Sequence, residues 1–344
     1  MSGLLAELLE QKPFLLADGA TGTNLFSMGL PPGGAPELWN IEAADKVAGL
    51  HRSFFEAGSD LVLTNSFGGN RCRLKLHHSE DRVCELNQAA AEIARRTAGA
   101  CGRKVVVAGS MGPTGELFAP FGPLSHDEGA EIYAEQARAL AEGGVDILWI
   151  ETMSSKEELE AALAGGRLTG LPLVCTLSFD TNGRTMMGLS PVELAKICRE
   201  ATEPPLAFGA NCGVGAPDLL AGLLSMDIHS LDGAVVVAKA NCGIPLFEGG
   251  QIRYTGTPDL MAEYARLAFD AGARIIGGCC GTTPVHVAAM REALDSHSRG
   301  RRPTLEQVES VLGKISDGAK ALEVLDALAY EKPPPRRGRR KRRS

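Results

Sequence analysis

Three cysteines sit beside glycines in two short apolar runs, Gly209-Ala210-Asn211-Cys212-Gly213 and Gly277-Gly278-Cys279-Cys280-Gly281-Thr282. Neighbouring residues of an extended strand point to opposite faces, so Cys279 and Cys280 can share one centre only if the backbone turns there, as the flanking glycines permit. A free cysteine met singly is most often a small buried hydrophobe. Three at two glycine-flanked positions, Cys212, Cys279 and Cys280, read instead as a metal site. Soft thiolates select zinc or copper(I), and no C-x-x-C run or fourth clustered cysteine supports an iron–sulfur cluster, so the expectation is zinc. Three protein thiolates leave one position for an exogenous ligand, the arrangement of catalytic rather than structural zinc. Cys242, in Lys239-Ala240-Asn241-Cys242-Gly243, is a rival ligand that spacing alone does not remove. His77, His78, His126, His229 and His286 lack ligand spacing and read as solvated, and the phosphate-cradling glycine signatures are absent, which removes nucleotide chemistry.

Eight short β-rich runs precede amphipathic stretches and place these cysteines: 14–17, 61–67, 105–109, 147–152, 173–179, 207–211, 235–240 and 274–278. Helical patterns over 45–56, 81–98, 127–142, 155–168, 191–200, 216–224 and 258–271 lie between them. Strand–helix alternation implies a parallel sheet. Eight such units predict a (β/α)8 TIM barrel, with an open doubly wound sheet as the alternative. Nearly every run ends in polar or glycine residues (Asp18-Gly19, Thr64-Asn65, Gly109-Ser110, Glu151-Thr152, Asn211-Cys212, Asn241-Cys242, Cys279-Cys280), which a barrel gathers on the one rim where active sites lie. The expected organisation is a barrel over 1–300, a C-terminal helical extension over 301–331 with its helices in 304–330, and a disordered basic tail over 332–344.

Of the 344 residues, 44% are hydrophobic and 22% charged, enough to bury a large core. No apolar run reaches membrane-spanning length, and Glu7 and Glu10 spoil a signal peptide. Nine scattered cysteines, an odd number, suit a reducing compartment, so the expected location is cytoplasmic. The formal charge is −7, and setting aside the eight basic groups of Lys332–Ser344 leaves −15 on residues 1–331. That tail reads as a solvated appendage with weak, salt-sensitive contacts, and no nucleic-acid motif accompanies it.

Asp18-Gly19-Ala20-Thr21-Gly22-Thr23, Thr64-Asn65-Ser66-Phe67-Gly68, Gly112-Pro113-Thr114-Gly115-Glu116, Glu151-Thr152, Gly209 to Cys212 and Gly277 to Thr282 resemble, in that order, the homocysteine S-methyltransferase family. The resemblance covers about residues 10–297. It implies a zinc-dependent barrel in which Cys212, Cys279 and Cys280 hold the metal and homocysteine sulfur is the fourth ligand, a thiolate able to attack a methyl carbon. It also implies that Asp18, Gly19 and Glu151 hold the amino-acid end of homocysteine. Asn241 matches a residue that occupies zinc before substrate in the methionine-synthase branch, and Asn65 and Asn211 are pocket residues or strand-end braces.

The methyl donor is the least legible point. A betaine site cages a quaternary ammonium with aromatic faces, for which Trp39 is the candidate, with Phe67, Phe118 and Phe121 as companions. The vertebrate-type betaine enzymes carry tyrosines where this chain has Gly68 and Thr152. As a whole chain, the closest resemblance is to stand-alone bacterial proteins of betaine–homocysteine methyl transfer, so betaine is the expected donor. Methylcobalamin on a separate corrinoid protein, with the chain as one subunit of a split methionine synthase, and S-methylmethionine are the alternatives. A non-catalytic zinc–thiolate scaffold or redox sensor is the reading of another class.

Overall fold

The computed structural model describes residues 3–226, 234–243, 245–248 and 251–322; His229, residues 323–331 of the extension and the 332–344 tail lie outside them. Eight parallel strands form one sheet: β1 (Leu15–Leu16), β2 (Leu61–Leu63), β3 (Val106–Met111), β4 (Ile147–Met153), β5 (Leu173–Leu177), β6 (Ala207–Cys212), β7 (Val235–Ala240) and, after the hairpin β8 (Pro245–Glu248) and β9 (Gln251–Tyr254), β10 (Ile275–Gly278). The order β1-β10-β7-β6-β5-β4-β3-β2 is brought round by a parallel bridge between Ala17 and Leu61, which closes the sheet into the expected (β/α)8 barrel.

Side chains alternate between the two faces of each strand. Leu15, Leu61, Leu63, Val106, Ala108, Ile147, Trp149, Val174, Ala207, Val235, Val237 and Ile275 meet in the barrel's lumen, whereas Leu16, Val62, Val107, Leu148, Cys175, Phe208 and Val236 face the surrounding helices. Helix α1 (Leu4–Gln11), which no sequence pattern singled out, turns Leu5, Leu8 and Leu9 into the lumen cluster and stoppers the barrel at the amino ends of its strands. Its i, i+3, i+4 apolar spacing makes that one face.

Two departures from the sequence expectation bear on the site. The second strand stops at Leu63 rather than Phe67 because the chain turns at once, with Ser66 N–H donating to the Thr64 carbonyl and Gly69 N–H to that of Ser66. The hairpin β8–β9 falls in the stretch between the seventh and eighth barrel strands that had been assigned no strand. After the barrel, residues Leu305–Leu312 form a helix begun by a Thr304–Gln307 capping box, and Val308, Leu312, Ile315 and Ala319 pack onto the outer core. No helix among the described residues is long and apolar enough to cross a membrane.

One buried group loads the outer layer. In the helix Ala44–Glu56, His51 is buried and neither ring nitrogen has a hydrogen-bond partner. Burial lowers its pKa from 6.5 to about 4. A depressed histidine binds fewer protons folded than unfolded between those values, so stability is full above pH 6.5 and drains as pH falls toward 4. Over that window the loss should reach about 3 kcal/mol. Urea unfolding at pH 7 and pH 4.5 should show a drop in wild type that His51→Met largely removes.

Candidate active site

The polar ends of the inward-facing rows meet at the carboxyl end of the barrel. Alternation carries β3 from Val106 and Ala108 to Ser110, β4 from Ile147 and Trp149 to Glu151, β6 from Ala207 to Gly209 and Asn211, and β7 from Val235 and Val237 to Lys239. Above this polar layer stand the cysteines. Cys212 ends β6, Cys279 and Cys280 follow β10, and β7 lies between those strands, so residues 67 positions apart become neighbours.

The Sγ atoms of Cys212, Cys279 and Cys280 all lie within 4.8 Å of one another, with Cys212 and Cys280 at 3.8 Å. Tetrahedral Zn–S bonds of about 2.3 Å require sulfurs about 3.8 Å apart. The donor set and its spacing therefore fit one thiophilic metal ion. Cys242 does not join it: its thiol is buried and donates to the Gly256 carbonyl at 3.2 Å.

The backbone is bent to make this cluster. Cys212 has φ 60° and Gly213 φ 69°, a left-handed pair that lifts the thiol off the strand line, and a non-glycine residue there carries strain. The second loop turns through Gly281 (φ 78°), where an added Cβ would lie 2.2 Å from the Tyr254 ring. Asn241 stitches the two loops, its Nδ2 donating to the Gly213 carbonyl at 2.7 Å and its Oδ1 accepting from Cys280 N–H at 3.0 Å. Asn211 acts similarly on β4. Its Oδ1 accepts from Thr152 N–H and its Nδ2 donates to Thr152 Oγ1 at 2.7 Å, while the same Nδ2 lies 3.9 Å from Cys279 Sγ. Thr152 is itself left-handed, φ 66°, an outlier for a β-branched residue that the Asn211 amide holds in place.

Without a cation these thiols resist ionisation. Contact with Cys279 favours the Cys212 thiolate, but the Cys280 thiol and burial outweigh it and push Cys212 up to about 12. Cys280 is also pushed up to about 12, Cys212 favouring its thiolate while Cys279 and burial oppose it.

A cleft of about 500 Å³ opens over the cluster, its lining including Gly19, Thr64, Asn65, Ser110, Glu151, Thr152, Lys239 and all three cysteines. Glu151 is 8% exposed; Ser110 Oγ donates to its Oε1 at 2.5 Å, and burial pushes its carboxyl up against the pull of Lys239. Lys239, 2% exposed, sets its Nζ 2.5 Å from Asp18 Oδ1. Burial opposes that charge, but the Asp18 and Glu151 carboxylates outweigh it and hold the ammonium above its usual range.

The sequence-derived residues separate on this geometry. Gly19 and Glu151 reach the cleft. Asp18, 1% exposed, stands behind it, its Oδ2 accepting from Leu63 N–H at 2.7 Å and its Oδ1 taken by Lys239. Asn65 reaches the cleft wall with its amide spent on the Pro36 carbonyl and Asn40. Trp39 is not among the cleft-lining residues: it is 8% exposed, packs in the outer core and carries the Lys46 ammonium 4.4 Å over its ring. Of its proposed companions, Phe67 lines the cleft, Phe118 is in the core, and Phe121 is exposed elsewhere. Phe26, Glu37 and Arg73 line it without having been singled out, and so does His77, which had been read as solvated. Lys239 and Tyr254 were also missed; the Tyr254 ring packs against the Gly281 turn next to Cys280.

A family model described as homocysteine S-methyltransferase matches residues 15–294. Methionine synthase of Mycobacterium tuberculosis (strain ATCC 25618 / H37Rv) is 32% identical over 317 residues, covering 87% of this chain and 26% of that protein. Methionine synthase of Mycobacterium leprae (strain TN) is 30% identical over 319 residues, with 88% and 26% covered. The chain thus spans about a quarter of the length of these relatives. Among solved structures, the metallated form of the homocysteine methyltransferase MmuM from Escherichia coli superposes with a TM-score of 0.69 at 24% identity, covering 84% of this chain and 99% of that one. Its oxidized form gives the same TM-score at 25% identity, with 85% and 99% covered.

Removing one thiol should break the cluster without unfolding the barrel. Cys280→Ala should lose at least about ten-fold in metal affinity while its circular dichroism stays that of wild type. Competition with a chromogenic chelator reads the first, and retained stoichiometric metal at wild-type affinity would remove Cys280 from the site.

Proposed function

The chain belongs to the homocysteine S-methyltransferase family, and on that premise we propose that it forms methionine by methylating homocysteine at a zinc ion held by Cys212, Cys279 and Cys280. The observation that carries this reading is three mutually adjacent thiols at the foot of one cleft that also holds Glu151 and Gly19. Bound there, zinc would displace the proton of the acceptor's thiol and keep its sulfur a nucleophilic thiolate at neutral pH. The protein's own groups do the rest. Glu151 offers a carboxylate to the acceptor's ammonium, and Gly19 lets backbone approach its carboxylate. Asn241 and Asn211 hold the cysteine loops and Thr152 in register, which sets the sulfur's line of approach. Residues 1–300 carry this chemistry, with 301–331 as extension and 332–344 as tail; nine cysteines, all unbridged, suit the reducing cytoplasm.

For the donor we read an onium compound, glycine betaine first. Trp39 no longer supports it; Phe26 and Phe67, both partly exposed on the cleft wall, and the buried Glu37 carboxylate, held by Gly68 N–H at 2.7 Å, do. Aromatic faces and a desolvated carboxylate both attract a methylated cation. A second reading, methylcobalamin carried by a corrinoid partner, is favoured by the two mycobacterial methionine synthases, of which this chain spans about a quarter.

Zinc-loaded protein with homocysteine should form methionine when given glycine betaine alone. Turnover with methylcobalamin and not betaine would assign the chain to a split methionine synthase, and turnover only with S-methylmethionine would replace betaine within the onium class. Metal and homocysteine binding without turnover from any of the three would return the scaffold reading.

A further inference from the structure

Lys239 was given no part in the chemistry, yet it stands at the centre of the cleft floor. Its register fixes the height: Lys239 pairs with Asn211 on β6 and with Gly277 on β10, one step below Ala240, which is level with Cys212 and Gly278. The Lys239 backbone therefore sits one residue below the level of Cys212, and its side chain lines the cleft together with the thiols. Burying a lysine in a barrel lumen is costly unless it is paired, and Asp18 supplies the pair. Two contacts of Nζ go to Asp18, at 2.5 Å to Oδ1 and 3.5 Å to the carbonyl. An ammonium has three N–H groups, so one remains, and Lys239, unlike Asp18, lines the cleft. Glu151 mirrors it from β4. Ser110 takes its Oε1, and Oε2 has no hydrogen-bond partner among the described residues.

A free N–H on a cation and a free oxygen on an anion thus share one floor under a thiol cluster. We infer that Lys239 binds the carboxylate of the acceptor while Glu151 binds its ammonium, so that two side chains recognise an α-amino acid zwitterion and Asp18 is a positioning residue for Lys239. This rests on the proposed homocysteine reaction and changes its acceptor site: the carboxylate meets a side-chain cation rather than backbone alone, and Asp18 leaves the set of direct contacts.

The test compares kcat/KM for homocysteine with that for its decarboxylated analogue, 3-aminopropane-1-thiol, using whichever methyl donor wild type accepts. Wild type should prefer homocysteine by on the order of 10- to 100-fold, the worth of a hydrogen bond to a charged group. Lys239→Met combined with Asp18→Asn, which removes both buried charges together, should bring that ratio close to one. Asp18→Asn alone should raise KM for homocysteine and leave KM for the analogue unchanged, a split that mere loss of stability would not produce, and it serves if the double variant does not fold. Equal use of the two thiols by wild type, an unchanged ratio in the double variant, or parallel KM changes in Asp18→Asn would each overturn the assignment. Absence of methionine from wild type with every donor would instead overturn the reaction on which it rests.

Discussion

A closed barrel leaves its strands no choice about half of their side chains: every second residue must enter the lumen, and the lumen must be filled. Here the lower part is filled with leucine, valine, isoleucine and Trp149, sealed from beneath by Leu5, Leu8 and Leu9. The same alternation, carried one step further along each strand, delivers Ser110, Glu151, Asn211 and Lys239 to the top. The apolar layers hold the wall closed, and the polar layer above them is what the wall exists to hold. One periodicity sets both.

Charge is handled differently on the two sides of that boundary. Lys239 and Asp18 are almost fully withdrawn from water, and either alone would be an uncompensated buried ion. Paired at 2.5 Å, with Leu63 N–H on the second carboxylate oxygen, they form a fixed dipole rather than two liabilities. The cysteines have no such partner. Their thiols face one another and the Asn211 amide rather than a charge, and burial with crowding favours their protons, so the donor set fits a cation from outside the chain. The strain at Cys212 and Thr152 belongs to the same economy: the Asn211 amide holds left-handed Thr152, and the Asn241 amide holds left-handed Gly213 directly after Cys212.

The barrel and the thiol cluster were legible because both rest on strong local signals. Strand–helix alternation recurs along the chain, and three cysteines fall at two glycine-flanked strand ends. Lys239 was legible in principle. Counting by twos from Val235 and Val237 puts it on the lumen face, but a lysine near the end of a strand also reads as solvent-facing, and only the closed barrel decides. Trp39 went the other way, since an aromatic in a loop-like stretch gave no sign that a lysine seven residues on would cover its ring in the outer core. Tyr254 was beyond local reading altogether: it packs against the Gly281 turn because the hairpin β8–β9 folds back beside the last strand's loop, a contact between residues 27 apart with no shared motif.

The helix that stoppers the lumen also governs traffic. With Leu5, Leu8 and Leu9 filling the amino end of the barrel, the cleft at the carboxyl end serves as both entrance and exit for whatever meets on the thiol cluster. On the proposed reaction, an acceptor seated against Lys239 and Glu151 would lie beneath a methyl donor approaching its sulfur. Binding and release would then be ordered by depth, the deeper reactant entering first and its product leaving last.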